Sequence, residues 1–229
     1  MLKTFEEYKG FKDKITYLEE ILKNHNCEKV NGKWSNFSNK VDLELKSDFV
    51  ENGRLLVQFG KTGSFSCSDI GLTTLEGCPD EVYGSFSCSF NNIENLIGGP
   101  AQVHGYYYCS HNTFLTSLEG CAKVVDGYFI THSCPRLRTL YGLPYMFEID
   151  KDLFENTSVP AIEREFAQKH ISSNPLLKYI NYHEDLFNYI VKEDVSKLAD
   201  ILWPEEFIKT KPGFEYLLKS ADTIKKYML

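Results

Sequence analysis

Three cysteines, Cys67, Cys88 and Cys109, recur 21 residues apart. Stacked at that spacing they form a column of thiols, the arrangement that a metal centre or a redox couple would use. The residue pattern argues against both. All three fall on the inward side of an alternating stretch, no histidine shares their column, and a buried unreactive cysteine serves as a small hydrophobe. The chain has seven cysteines, an odd number, and no CxxC pair, so neither a disulfide framework nor a zinc ribbon is indicated. Free thiols in a reducing compartment follow. Cys78 and Cys121 share a turn position with Gly99 and Leu143, which assigns them a structural role.

The remaining reactive side chains are sparse. The six histidines show no HxxxH or HExxH spacing, and GxGxxG, Walker and GxSxG motifs are absent. Glu76 and Glu119 recur at one turn position, which repetition explains better than an acid–base pair does. His104, His111 and His132 read as solvated loop histidines near an aromatic patch described below. Lys169, His170, His183 and Glu184 are the polar candidates if chemistry resides in the C-terminal segment. The expectation is a chain that is not an enzyme and holds no metal and no cofactor.

The elements carrying these residues are set by an internal repeat. GSFSCSDIGLTTLEGCPDEVY begins at Gly63, GSFSCSFNNIENLIGGPAQVH at Gly84, GYYYCSHNTFLTSLEGCAKVVD at Gly105 and GYFITHSCPRLRTLYGLPYMFE at Gly127. Each unit opens with a period of two, that of a strand with one buried face. Phe65 and Cys67, Phe86 and Cys88, Tyr107 and Cys109, and Phe129 and Thr131 point inward. Paired apolar positions follow at Leu72/Leu75, Ile93/Leu96, Leu115/Leu118 and Leu137/Leu140, then a turn glycine at Gly77, Gly98, Gly120 and Gly142. Pro79, Pro100 and Pro144 come two residues later, with Ala122 in the third unit. Each unit closes on an apolar residue: Val82, Val103, Val125 or Phe147. A unit this small cannot bury its own apolar face, so neighbours must stack into a parallel sheet. VDLELKSDFVENGRLLVQFGKT, from Val41, fits the frame as a first rung, with Leu43 and Leu45 inward and charges outward. The pattern stops after Ile149.

The expected fold is α+β: a short parallel-sheet, leucine-rich-repeat-like solenoid over 41–149. An N-terminal helix and β-hairpin over 1–40 cap it, and a helical region over 150–229 follows. Thr4-Phe5-Glu6-Glu7 reads as a capping box, with Phe5, Tyr8, Phe11, Ile15, Leu18 and Leu22 at helical spacing to about Lys23. Asn31-Gly32 between Val30 and Trp34 is a hairpin signal. From Pro160 onward the periodicity is helical, interrupted at Pro175, Pro204 and Pro212.

The outward strand positions change along the stack. They read Ser64, Ser66 and Ser68, then Ser85, Ser87 and Ser89, then Tyr106, Tyr108 and Ser110, and finally Tyr128, Ile130 and His132. With rungs about 4.8 Å apart, Tyr106, Tyr108, Tyr128, Ile130 and His132 become one patch. Tyrosines are favoured interface anchors, so this patch is the candidate partner-binding site, the alternative being that the C-terminal helices or a second copy of the chain cover it.

Composition limits what the patch can meet. At 42% hydrophobic and 25% charged the chain is an ordinary globular one rather than disordered. Residues 1–62 carry 11 Lys/Arg and 10 Asp/Glu, residues 63–150 carry 3 and 9, and residues 151–229 carry 11 and 13. The acidic middle repels phosphate backbones and steers a basic protein, so the expected partner is a protein and not nucleic acid. No apolar run of about 18 residues spans a bilayer, and MLKTFEEYKGFKDK lacks the apolar stretch of a signal peptide. A cytoplasmic protein is expected, without membrane association.

Phe86-x-Cys88-x-x-Asn91-x-Ile93 and Tyr107-x-Cys109-x-x-Asn112 resemble the LxLxxNxL core of leucine-rich repeats. The GxFxCSxNxLTSLEGxPxxV form looks like the short variant common in proteins of large tailed bacteriophages. Ile70 and Ser133-Cys134-Pro135 depart from it where an asparagine would complete a hydrogen-bond ladder. The resemblance implies the solenoid and a phage setting, in which the protein acts in the host cytoplasm on a host or phage protein, as a host-defence antagonist would. It brings no catalytic motif. An enzyme with a C-terminal site, or an acidic decoy mimicking nucleic acid, are the alternatives.

Overall fold

The computed structural model describes residues 10–36, 42–140, 142–144, 146–149, 152–159 and 164. Apart from 152–159 and 164, the expected C-terminal helical region lies outside the described residues, as does the Thr4–Glu7 capping box.

Helix α1 (Phe11–Asn24) buries Leu18 and Leu22 completely, on the face set by their i, i+4 spacing. Strands β1 (Glu28–Val30) and β2 (Lys33–Ser35) pair antiparallel across Asn31 and Gly32, whose φ values of 50° and 82° make the two-residue turn anticipated from the Asn-Gly dipeptide. Trp34 then bridges in parallel to Phe59, which joins the hairpin to the solenoid.

The first rung is β3 (Leu43–Glu44), with Leu43 and Leu45 buried as expected. It is followed by β4 (Val50–Glu51) and β5 (Arg54–Leu55), a hairpin closed by Asn52 and Gly53, also at positive φ. The Asn-Gly dipeptide that marks the first hairpin recurs at this turn.

Thereafter each coil contributes two short strands rather than one. The first column comprises β3, β7 (Phe65–Ser66), β9 (Phe86–Ser87), β11 (Tyr107–Tyr108) and the C-terminal half of β12 (Val124–Ile130). The second comprises β6 (Lys61–Thr62), β8 (Glu81–Val82), β10 (Gln102–Val103) and the N-terminal half of β12. All these pairings are parallel. Val82, Val103 and Val125, read from sequence as the apolar close of each unit, are the inward residues of the second column. β12 runs through the corner that breaks the strand in earlier coils and so unites the columns. β13 (Met146–Ile149) pairs with both halves of β12, with a register shift between Val124 and Tyr128.

The core is continuous from Leu18 and Leu22 through the solenoid to Leu153 and Val159. Phe65, Phe86, Tyr107 and Phe129 run through it, with successive ring centroids 4.9–6.1 Å apart. At about 25 cal/mol per Å² of apolar surface removed from water, each buried phenylalanine or leucine contributes roughly 1.5–3 kcal/mol. No isolated coil gains this, because the other half of each contact belongs to its neighbour.

Asparagines tie the middle coils together. Asn91 Oδ1 accepts from the backbone N–H of Ile70 (3.3 Å) and Leu72 (2.9 Å), while its amide donates to the carbonyls of Cys67 (2.8 Å) and Cys88 (3.0 Å). Asn112 repeats the pattern one coil later, accepting from Asn91 N–H and donating to Cys88 and Cys109 carbonyls. Where the motif departs, Cys134 takes the asparagine position and its thiol donates to the Cys109 carbonyl at 3.5 Å. The ladder therefore spans the two coils that carry asparagine, and a weaker thiol donor continues it.

Candidate partner-binding face

The outer face of the first column carries three rows of side chains perpendicular to the strands. Register places Glu44, Ser66, Ser87, Tyr108 and Ile130 in one row. Since side chains alternate along each strand, Asp42, Ser64, Ser85, Tyr106 and Tyr128 make the adjacent row.

Tyr106 and Tyr128 are 42% and 38% exposed, with ring centroids 5.6 Å apart. Tyr106 also meets Tyr108 edge-on at 6.0 Å. Tyr108 and Ile130 are half-buried, and burial, reinforced by Tyr106, pushes the Tyr108 phenol above its ordinary range. At neutral pH that hydroxyl is a hydrogen-bond donor. The tyrosine backbone is anchored from below: Tyr106 N–H donates to Ser85 Oγ at 3.1 Å, and Cys109 N–H to the Ile130 carbonyl at 2.9 Å.

His132 is half-buried and lies one row over. Its ring meets His111 edge-on at 5.2 Å, and His111 stacks on exposed Phe90 at 4.2 Å. These two histidines thus extend an aromatic string along the edge of the face. Phe90 and His111 both hold positive φ, 59° each, where the chain leaves the strand. Ser89 and Ser110 occupy the same row, but at 7% and 4% exposure they are buried rather than outward. Just beyond each strand the chain turns against its neighbour, with Phe90 N–H donating to the Ser110 carbonyl and His111 N–H to the His132 carbonyl.

His104 departs most from its reading as a solvated loop histidine. It sits at the corner of the second column, with Nδ1 2.8 Å from Asp126 Oδ2 and Nε2 3.3 Å from Glu81 Oε1, and its ring stacks on Tyr83. Glu81 also pairs with Lys61 at 2.6 Å. That contact, more than the histidine, holds the Glu81 carboxyl below its usual range.

A trough of about 390 Å³ lies beside the tyrosines on the strand face. Ser66, Ser85 and Ser87 form its floor, Asp42 and Glu44 one end, and Tyr108 the other. It exists because serines are short and the residues flanking them in each row are long. Glu44 accepts the Lys46 ammonium at 2.5 Å, whereas Asp42 makes no ion pair or hydrogen bond among the described residues. The outward charges of the first rung are legible in the sequence, whereas register alone places them in one trough with a tyrosine three strands away.

The cysteine column is sealed. Cys67, Cys88 and Cys109 are fully buried, and the Cys67 and Cys88 thiols donate to the Ser87 and Tyr108 carbonyls at 3.4 and 3.5 Å. Burial raises the Cys88 and Cys109 thiols well above their ordinary range, which opposes thiolate chemistry. Among the described residues no cluster of three His, Cys, Asp or Glu side chains could hold a metal ion, and no helix is long and apolar enough to cross a membrane. Glu76 pairs with Arg54 at 2.9 Å. Lys169, His170, His183 and Glu184 lie outside the described residues.

No protein-family model matches the chain, and neither a curated protein nor a solved structure matches it.

Proposed function

We propose that this protein is an interaction module whose outer strand face, centred on Tyr106, Tyr108 and Tyr128 with Ile130 and His132 beside them, binds a partner protein. The observation that carries the reading is the contiguity of the exposed Tyr106 and Tyr128 with the half-buried Tyr108, on backbone tied coil to coil by hydrogen bonds. Aromatic side chains held in place before binding lose little conformational freedom on contact, which is what makes tyrosine an effective anchor. The resemblance of the repeats to short phage leucine-rich repeats supports a phage setting and a host or phage protein as partner. Antagonism of a host defence component is the corresponding role.

The test compares captured proteins from host lysate between the wild type and Tyr106→Ala/Tyr108→Ala/Tyr128→Ala, with matched melting curves. A partner retained by the wild type and lost by the triple variant supports the reading, each anchor contributing on the order of 2 kcal/mol. Unchanged capture refutes it. Capture that ignores the tyrosines and disappears as salt rises instead favours an acidic decoy, because exposed charge attraction is screened within about 10 Å at 0.1 M salt.

A further inference from the structure

We infer that the trough between Asp42 and Tyr108 takes an extended polypeptide segment in which a lysine or arginine lies about four residues from an aromatic or large aliphatic side chain. This rests on the reading of the strand face as a protein-binding surface and names the chemistry of the bound segment.

The trough runs across the strands, because Glu44, Ser66, Ser87 and Tyr108 are register partners on four successive strands. Three interstrand spacings of about 4.8 Å separate its ends by roughly 14 Å, which an extended chain rising about 3.3 Å per residue covers in four steps. The two ends differ in chemistry. At one, Glu44 already accepts a lysine ammonium from Lys46, so the site tolerates that group sterically, and the Asp42 carboxylate beside it is uncompensated among the described residues. At the other, Tyr108 leans on Tyr106 and offers an aromatic wall.

The floor selects for backbone rather than bulk. Ser85 Oγ accepts Tyr106 N–H, and the Ser87 and Ser68 hydroxyls bond each other at 2.6 Å. The Ser66 hydroxyl makes no hydrogen bond among the described residues and is free for a bound main chain. A hydroxyl-rich oligosaccharide would also suit serines and tyrosine. The unpaired Asp42 beside Glu44, the two carboxylates that line the trough, favours a cation.

The experiment uses the full chain and four capped peptides, Arg-Ser-Thr-Ser-Trp, its reverse Trp-Ser-Thr-Ser-Arg, Glu-Ser-Thr-Ser-Trp and Arg-Ser-Thr-Ser-Ala, with cellohexaose as the neutral glycan, measured by titration calorimetry. The expected result is saturable binding of an arginine–tryptophan peptide in one orientation or the other. It should weaken roughly ten-fold in Asp42→Asn/Glu44→Gln and with either altered peptide end. Ser66→Trp, which fills the floor, should abolish it, with an unchanged melting curve showing that the fold is intact. Failure of both arginine–tryptophan peptides to bind overturns the inference, as does equal binding of the glutamate peptide or indifference to Ser66→Trp. Cellohexaose binding with the same dependence on Ser66 would make the trough a glycan site and overturn it equally. Should the peptides fail while partner capture still depends on the tyrosines, only the trough's assignment falls. Should the peptides bind while capture ignores the tyrosines, the broader reading of the face falls.

Discussion

The ring of Tyr106 lies over the bare α-carbon of Gly127 in the next coil, so closely that a Cβ placed there would stand 2.4 Å from Cδ1 and 2.7 Å from Cε1. The exposed tyrosine patch therefore depends on a residue that carries no side chain. Tyr106 reaches Tyr128 because nothing rises between them.

Gly127→Ala should displace the Tyr106 ring and destabilise the protein by about 1–3 kcal/mol, the usual range for overpacking. Urea unfolding measures the loss, and near-ultraviolet circular dichroism reports the tyrosine cluster. If both match the wild type, the ring does not rest on this glycine.

Asn91→Leu keeps approximate size but removes every amide contact. The Ile70 and Leu72 N–H groups and the Cys67 carbonyl then lose their partner inside the stack, while the Cys88 carbonyl keeps Asn112. At about 1–3 kcal/mol for each buried group left unsatisfied, the expected cost is at least about 3 kcal/mol in urea unfolding. A cost below about 1 kcal/mol would mean that the stack does not rely on the ladder.

Tyr107 occupies the position that Phe65, Phe86 and Phe129 fill in the other coils, and its hydroxyl is buried without a partner among the described residues. Tyr107→Phe should accordingly raise stability by about 1 kcal/mol, since it removes an uncompensated polar group without emptying space. A fall in the unfolding midpoint would point to a buried water bonded to that hydroxyl.

The thiols set a pH limit. Burial raises Cys88 and Cys109 well above their ordinary range, and Cys78 is raised first by its contact with Cys67, 4.0 Å away, and then by burial. An unfolded thiol titrates near about 8.5, so above that pH the unfolded chain releases protons that the folded one retains. Stability should be flat in these groups below about pH 8 and fall as pH rises, by about 1.4 kcal/mol per pH unit for each thiol. Urea midpoints from pH 7 to 10 test the sign. Iodoacetamide at pH 8 should label Cys67, Cys88 and Cys109 only after unfolding, and rapid labelling of the native protein would contradict a sealed column.

Much of the solenoid was legible because its signals are local. Alternation placed Phe65, Phe86, Tyr107 and Phe129 inside, and the turn glycines needed their freedom: Gly98, Gly120 and Gly142 hold φ of 85–93° with backbone of the preceding coil against them. Asn31-Gly32 made its hairpin. Asn52-Gly53 carried the same signal within a stretch already read as a single rung. The second strand column gave little to read, since two residues per coil are too few to show a period.

What the sequence determined by itself was the repeat, the side of the sheet each strand residue faces, and the replacement of serine by tyrosine along the outer rows. These follow from the two-residue alternation of a strand and the unit length. The tertiary structure decided which outward residues remain exposed and which meet. Ser89 and Ser110 became buried, His104 settled between two carboxylates, and Asp42 came to share a trough with Tyr108. Such outcomes depend on how one coil sits on the next, and that relation joins residues far apart in the chain that no local pattern connects.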